Sequence, residues 1–133
     1  MIVVDTNVIQ YCWVRGVNTQ IAQAVRSRDP DWHAPILWRS EFRNVLSAYL
    51  RRGLLSRPQI DEVLAAAANA LAEGEHIIAD ERVLDVVESS VLTAYDAEFV
   101  ALAEALTVPL VTADRAVLKA FPDRAITMEA FVG

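Results

Sequence analysis

The sequence predicts an α/β domain, a parallel sheet of four or five short strands covered by helices on both faces. Three observations lead there. Short apolar runs of strand length alternate with longer stretches whose apolar residues recur at helical spacing. No hairpin turn signal joins any two runs, so successive strands must be linked by crossovers, which makes them parallel. Apolar residues form 54% of the 133 positions and spread along the whole length, enough for one core and one domain over 1–133.

Ile2-Val3-Val4 is β-branched, apolar and followed at once by polar residues, the signature of a short buried strand. Helices are expected over 6–13 and 19–28, with Asp29-Pro30-Asp31 breaking the chain after the second. Trp32-His33-Ala34 reads as a second strand. A long helix over 36–52 follows, ended by Gly53, which favours the left-handed conformation past a helix terminus. Ser56 caps the next helix, with Pro58 in its first turn; Ile60, Val63, Leu64, Ala67 and Leu71 share one side, and it ends near Gly74. His76-Ile77-Ile78-Ala79 is expected as a third strand. Two helices follow, over 81–92 with Val83, Val86, Val87 and Val91 on one side, and over 95–106. Val108-Pro109-Leu110-Val111-Thr112 is the clearest later strand. A helix over 115–121 stops at Pro122, and Ala125-Ile126-Thr127 closes the sheet.

Composition narrows the function. The net charge of −6 argues against nucleic-acid binding by a general basic surface, but not against a nuclease, because carboxylates in a metal site count as negative until the metal arrives. Eleven of the twelve basic residues are arginine and only Lys119 is lysine; arginine suits bidentate phosphate contacts, and a GC-rich genome gives the same bias. No apolar stretch approaches the roughly 20 residues needed to cross a bilayer, and the N-terminus lacks the features of a secretory signal. Cys12 is the only cysteine, expected as a small buried hydrophobe, so the reducing cytoplasm is the expected location.

Four carboxylates stand out. In an open parallel sheet, ligands bind beyond the carboxyl ends of the strands. Asp5 follows the first strand and Asp114 lies two residues past Thr112, so both belong on that edge, although each could equally cap the helix after it. Glu41 falls inside the apolar arc made by Trp38, Phe42, Val45, Leu46 and Tyr49, where an ionised carboxylate needs a cation, either a metal or an arginine such as Arg39 or Arg43. Asp96 interrupts the face formed by Tyr95, Phe99, Leu102, Ala103 and Leu106; a capping box with Thr93 is its local alternative. Glu98 and Glu104 fall towards the edge of that arc and are expected in solvent. An all-oxygen set without a cysteine or histidine cluster suits magnesium or manganese. His33 and His76 look isolated, there is no Gly-rich phosphate loop, and no serine sits in a nucleophile elbow.

Four segments carry a resemblance: Val3-Val4-Asp5-Thr6-Asn7, Arg39-Ser40-Glu41-Phe42-Arg43-Asn44-Val45-Leu46, Thr93-Ala94-Tyr95-Asp96-Ala97, and Pro109-Leu110-Val111-Thr112-Ala113-Asp114. In order, spacing and total length the chain resembles a PIN domain, and within that group the VapC-type ribonuclease toxins of toxin–antitoxin pairs. The resemblance implies a three-layer α/β/α sandwich, Mg2+ or Mn2+ dependence, and endonucleolytic hydrolysis of RNA by metal-activated water, with Asp5, Glu41, Asp96 and Asp114 as the acidic quartet. Asp5 and Asp96 are the expected direct metal ligands. Glu41 and Asp114 would ligate or act through water. Asn7 and Thr112 match supporting polar positions, and Glu98 is the nearest match to a further acid of some relatives. Arg39, Arg43, Arg115 and Lys119, nearest in sequence to the acids, are expected either to guide RNA or to be ordinary solvated helix surface. A cognate antitoxin and a homodimer are the implied partners, with the early apolar helices and the helix around 64–71 as either docking surface or plain core.

Other readings fit less well. A PIN-type RNA-processing nuclease without an antitoxin shares every residue named above. A phosphoacceptor domain needs an early pair of acids and a late strand-end lysine, whereas Asp5 stands alone and Lys119 lies in a helix; an Asp-x-Asp phosphatase fails because Asn7 takes the second position. A non-catalytic acidic interaction module predicts exposed acids, contrary to the placement of Glu41 and Asp96.

Overall fold

The computed structural model describes residues 1–133. Five parallel strands, β1 (Ile2–Val4), β2 (Trp32–Pro35), β3 (Glu75–His76), β4 (Leu110–Val111) and β5 (Ala125–Ile126), lie in the order β3-β2-β1-β4-β5. The register pairs Ile2 with Trp32 and Val3 with His33 on one side of β1, and Val3 with Leu110 and Val4 with Val111 on the other. A central strand is covered on both faces and has no polar side, which is why Ile2-Val3-Val4 is continuously apolar and buried.

Eight helices connect the strands: α1 (Thr6–Trp13), α2 (Thr19–Arg28), α3 (Trp38–Arg51), α4 (Arg57–Leu71), α5 (Asp80–Glu88), α6 (Ala94–Leu106), α7 (Arg115–Ala120) and α8 (Met128–Val132). One layer is built by α1 to α4 with α8. The other is α6 lying across β1, β2 and β4, with α5 on its outer side. The expected three-layer α/β/α sandwich is therefore present. None of these helices is long and apolar enough to cross a membrane. Trp32, Trp38, Phe42 and Phe99 are the largest side chains wholly enclosed between the layers.

The topology fixes where a ligand can sit. From β1 the chain moves outward to β2 and β3, then returns across the sheet to β4 and β5. Strand order thus reverses between β1 and β4, and a crevice opens at their carboxyl ends.

Several boundaries differ from the sequence reading. The third strand is Glu75–His76, not 76–79: the carbonyl of His76 accepts the last ladder bond, from the Ile36 N–H, and Ile77 beyond it is 88% exposed. Its register is set upstream, where Gly74 crosses β2 so closely that a β-carbon would lie 2.0 Å from the Trp32 carbonyl oxygen. Helix α5 ends at Glu88, because the Ser89 and Ser90 hydroxyls turn back onto the Val86 carbonyl, and Val91 is left in solvent. Helix α3 begins at Trp38, and α8, capped by Thr127, was not anticipated.

Candidate metal-binding active site

All four acids sit at helix N-termini on the carboxyl edge of the sheet. Asp5 caps α1, Glu41 is in the first turn of α3, Asp96 is in the first turn of α6, and Asp114 caps α7. This follows from the winding. Helices that leave a parallel strand start at its carboxyl edge, and α6, which must run back to the opposite edge before β4, starts there as well. The positive ends of these helices therefore point at one cluster of negative charge.

Hydrogen bonds hold the cluster. The Asp5 N–H donates to the Val111 carbonyl (3.0 Å), tying the ends of β1 and β4 together. Asp5 Oδ1 accepts from the Thr6 N–H (2.8 Å), and Oδ2 accepts from the Thr112 hydroxyl (2.6 Å). That hydroxyl in turn accepts from the Asp114 N–H at 3.0 Å. The Thr6 hydroxyl donates to Glu41 Oε1 (2.7 Å), and Asn7 Oδ1 accepts from the Ala113 N–H (3.3 Å). Asp114 Oδ1 caps α7 through the Ala116 and Val117 N–H groups, leaving Oδ2 free; the Thr93 hydroxyl oxygen caps α6 by accepting from the Asp96 N–H. The capping roles seen as alternatives for Asp5 and Asp114 are real, whereas of the capping box at Asp96 only the Thr93 half forms and the Asp96 carboxylate makes no return bond. They position the acids and are compatible with a ligand role.

The four acids line one cleft of about 310 Å³ together with Thr6, Asn7, Gln10, Asn44 and Val45. No arginine or lysine lines it, and none of the four acids has a salt bridge. Burial pushes the Asp5 carboxyl up from 3.8 to about 6, against the lowering effect of its bonds to Thr112 and Thr6, with Glu41 and Asp96 adding repulsion. Glu41 is raised by burial and then by Asp96, and Asp96 by burial and then by Asp114. Desolvated oxygen donors without a counter-cation are the donor chemistry of a hard divalent cation. No three carboxylates stand close enough to hold an ion without moving, as expected of mutually repelling groups.

None of the arginines nearest the acids in sequence lines the cleft. Arg39 is clamped by Glu75, whose Oε2 accepts from Nε (2.6 Å) and Oε1 from Nη2 (2.7 Å), so it is not the counter-ion of Glu41. Arg43 donates to Ser40, and both arginines border a separate depression that they share with Glu98. Arg115 and Lys119 are exposed and outside the cleft. Glu98 is more involved than its position on the helix implied: it is partly buried and its carboxyl is raised by burial and by Glu41. Tyr95, expected on the buried face, is 63% exposed, because the first turn of α6 projects beyond the sheet edge.

The histidines are not isolated. His33 Nδ1 lies 2.8 Å from His76 Nε2, and His33 Nε2 lies 2.9 Å from Asp31 Oδ1, away from the acid cleft on the β2–β3 pair. Sequence reasoning passed over Thr6, Gln10 and Asn44. The available signal was spacing: Gln10 is one turn beyond Asn7 on α1, and Asn44 one turn beyond Glu41 on α3. Val8, Ile9 and Cys12 of α1 and Ala67 and Leu71 of α4 are core; exposed apolar side chains include Val17 after α1, Leu50 and Leu54 at the end of α3, Val91, and the group Ile36, Ile77, Leu84 and Tyr95.

Known proteins supply an independent comparison. No curated protein matches the chain. Among solved structures, PAE2754 from Pyrobaculum aerophilum is similar with a TM-score of 0.78 at 22% identity, covering 98% of this chain and 85% of its own. FitAcB from Neisseria gonorrhoeae is similar with a TM-score of 0.75 at 18% identity, covering 97% and 99% of the two chains. FitAB bound to an IR36 DNA fragment gives 0.74 at 15% identity, covering 96% and 95%. At these identities the likeness is one of fold. The family model described as PIN domain matches residues 2–122, nearly the whole chain, with all four acids inside the match. The chain belongs to the PIN-domain family.

Proposed function

We propose that this protein is a divalent-metal-dependent endoribonuclease, using Mg2+ or Mn2+, and the toxin of a toxin–antitoxin pair. One observation carries the reading: four carboxylates converge, with no arginine or lysine among them, on the crevice at which the strand order reverses, three of them with raised pKa. Family membership and the resemblance of the four acidic segments to ribonuclease toxins support it.

Asp5 and Asp96 are the proposed direct ligands, with Glu41 and the free Oδ2 of Asp114 completing the set. A divalent ion held by these residues would supply positive charge to the scissile phosphate and would make a water nucleophilic near neutral pH. The protein's own contribution is orientation. Thr112 and the Thr6 amide fix both oxygens of Asp5, and the Thr6 hydroxyl turns Glu41 into the cleft. Glu41, raised by burial and turned toward the cleft by Thr6, is suited to take the proton of the attacking water. In-line attack by water leaves a 5′-phosphate and a 3′-hydroxyl. The RNA 2′-hydroxyl takes no part as nucleophile.

The antitoxin and a second copy of the chain are the proposed partners. The support is a depression of about 410 Å³ in which Ile36, Ile77, Leu84 and Tyr95 leave apolar surface uncovered beside Glu98. RNA cleavage by the purified protein in Mg2+, in Mn2+ and in chelator tests the enzymatic reading. Cleavage should need the metal and should stop in Asp96→Asn, which keeps the shape and the Thr93 cap but removes the charge. Undiminished cutting in chelator, or by Asp96→Asn, refutes the proposed site. Growth arrest on expression, relieved by the product of a neighbouring gene, tests the toxin role.

A further inference from the structure

The cleft poses an electrostatic problem that the four acids do not solve. It must admit a polyanion, yet no cationic side chain lines it. The remaining lining that can donate a hydrogen bond is amide and hydroxyl. The Thr6 hydroxyl is committed to Glu41, and Asn7, whose NH2 is free, is anchored among the acids through its oxygen to the Ala113 N–H. Gln10 and Asn44 are the amides left with both ends free. Neither side-chain amide has a partner within the chain, the only bond at Asn44 beyond the helix ladder being one accepted by its backbone carbonyl from Ser47.

Their placement is paired. Gln10 follows Asn7 by one turn on α1, and Asn44 follows Glu41 by one turn on α3, with α1 packed against α3. A three-residue step advances about 4.5 Å along a helix. The two amides therefore extend the cleft by about one helical turn beyond the acids, with Val45 as the apolar residue beside them. Gln10 is partly buried and Asn44 exposed, so both can be reached from solvent.

We infer that Gln10 and Asn44 form a neutral subsite that binds the nucleotide next to the scissile phosphate, through hydrogen bonds to the edge of an unpaired base. This rests on the ribonuclease reading and deepens it. An amide is the side chain that suits the place. It offers two donors and an acceptor, the complement of a base edge, without carrying a charge. An arginine or lysine on either helix position would be captured by Glu41 as an internal ion pair and would neutralise the carboxylate a metal ion needs. Substrate recognition inside the cleft is thus carried by neutral donors.

The test is steady-state cleavage of a single-stranded RNA containing all sequence contexts, with Mn2+, by wild type, Gln10→Ala, Asn44→Ala and the double variant. Each single variant should raise KM about five-fold, the loss of one neutral hydrogen bond, with kcat within about two-fold. The profile of preferred cleavage sites should broaden at one position beside the cut. The Mn2+ concentration at the midpoint of thermal stabilisation should be unchanged, which shows that the acids are intact and the variants folded. Asn44→Arg, by contrast, should shift that midpoint to higher Mn2+. Unchanged KM and an unchanged cleavage profile in the double variant overturn the subsite. So does an unchanged KM with a displaced Mn2+ midpoint, which makes the amides supports of the acid cluster. If the wild type cuts no RNA with either metal, the ribonuclease reading fails and the subsite with it; if the wild type cuts and the variants match it, only the subsite fails.

Discussion

Replacing Asp5 by Asn should stabilise the metal-free protein at neutral pH, although it removes a group that the fold has buried and hydrogen-bonded. Asp5 is only 8% exposed, and its pKa stands at about 6 against 3.8 for an ordinary aspartate. An acid whose pKa is raised in the folded state favours folding fully below its unfolded pKa and loses that contribution as pH rises through the folded value. Between about pH 4 and pH 6, a difference of about 2.2 units at ~1.36 kcal/mol each makes the metal-free wild type less stable by about 3 kcal/mol. Asn cannot ionise and escapes this loss. It keeps an oxygen for the Thr6 N–H, but its NH2 faces the Thr112 hydroxyl, which loses its acceptor at a cost of about 1 kcal/mol. The net gain at pH 7.5 is about 2 kcal/mol, roughly 7 °C in Tm for a chain of this size.

The assay is thermal and denaturant unfolding of both proteins in chelator from pH 4 to pH 8. The two stability curves should cross: the variant is weaker at pH 4 and stronger at pH 7.5. Glu41 and Asp96 titrate in the same direction, so the variant should keep a shallower decline. Saturating Mg2+ or Mn2+ should stabilise the wild type and much less so the variant. Parallel curves with the variant below the wild type at every pH would refute the claim that burial of the ionised Asp5 strains the metal-free protein.

Two substitutions away from the acids test the supporting geometry. Thr112→Val keeps the volume of a fully buried side chain but leaves Asp5 Oδ2 without its donor and the Asp114 N–H without its acceptor. It should cost about 1–3 kcal/mol in denaturant unfolding, and it should move the pH at which the metal-free protein weakens to higher values, because a hydrogen bond that lowers the Asp5 pKa is gone. Gly74→Ala should cost about 3 kcal/mol or more, since the new β-carbon would meet the Trp32 backbone, which cannot swing aside; a near-neutral result would show that β2 and β3 separate easily.

The convergence of the four acids on one cleft was legible in the sequence for two different reasons. Asp5 and Asp114 could be placed because a short β-branched run followed by Asp puts that Asp at a strand end, and the strand ends of a parallel sheet share an edge. Glu41 and Asp96 could be singled out because each interrupts an apolar helical face, where a carboxylate needs a partner. The same periodicity misplaced Tyr95, since it describes a helix's faces and not how far its first turn reaches past the sheet. It also misplaced β3, because the apolar Ile77-Ile78 pair is a better strand by composition than Glu75-His76, and the pairing was decided by the close crossing of Gly74 over β2.

What the sequence determined by itself was everything local in kind: an α/β alternation, the parallel sense of the strands, the helix caps, two acids at strand ends and two that interrupt apolar helix faces. Partnership was decided by the tertiary structure. Arg39 pairs with Glu75 and not Glu41, His33 meets His76, Thr6 bonds across to Glu41, and Gln10 faces the same cleft as Asn44. Each of these links residues at least 34 positions apart. Hydrophobic periodicity fixes which way a side chain points from its own helix or strand, whereas what it meets there depends on how the layers pack.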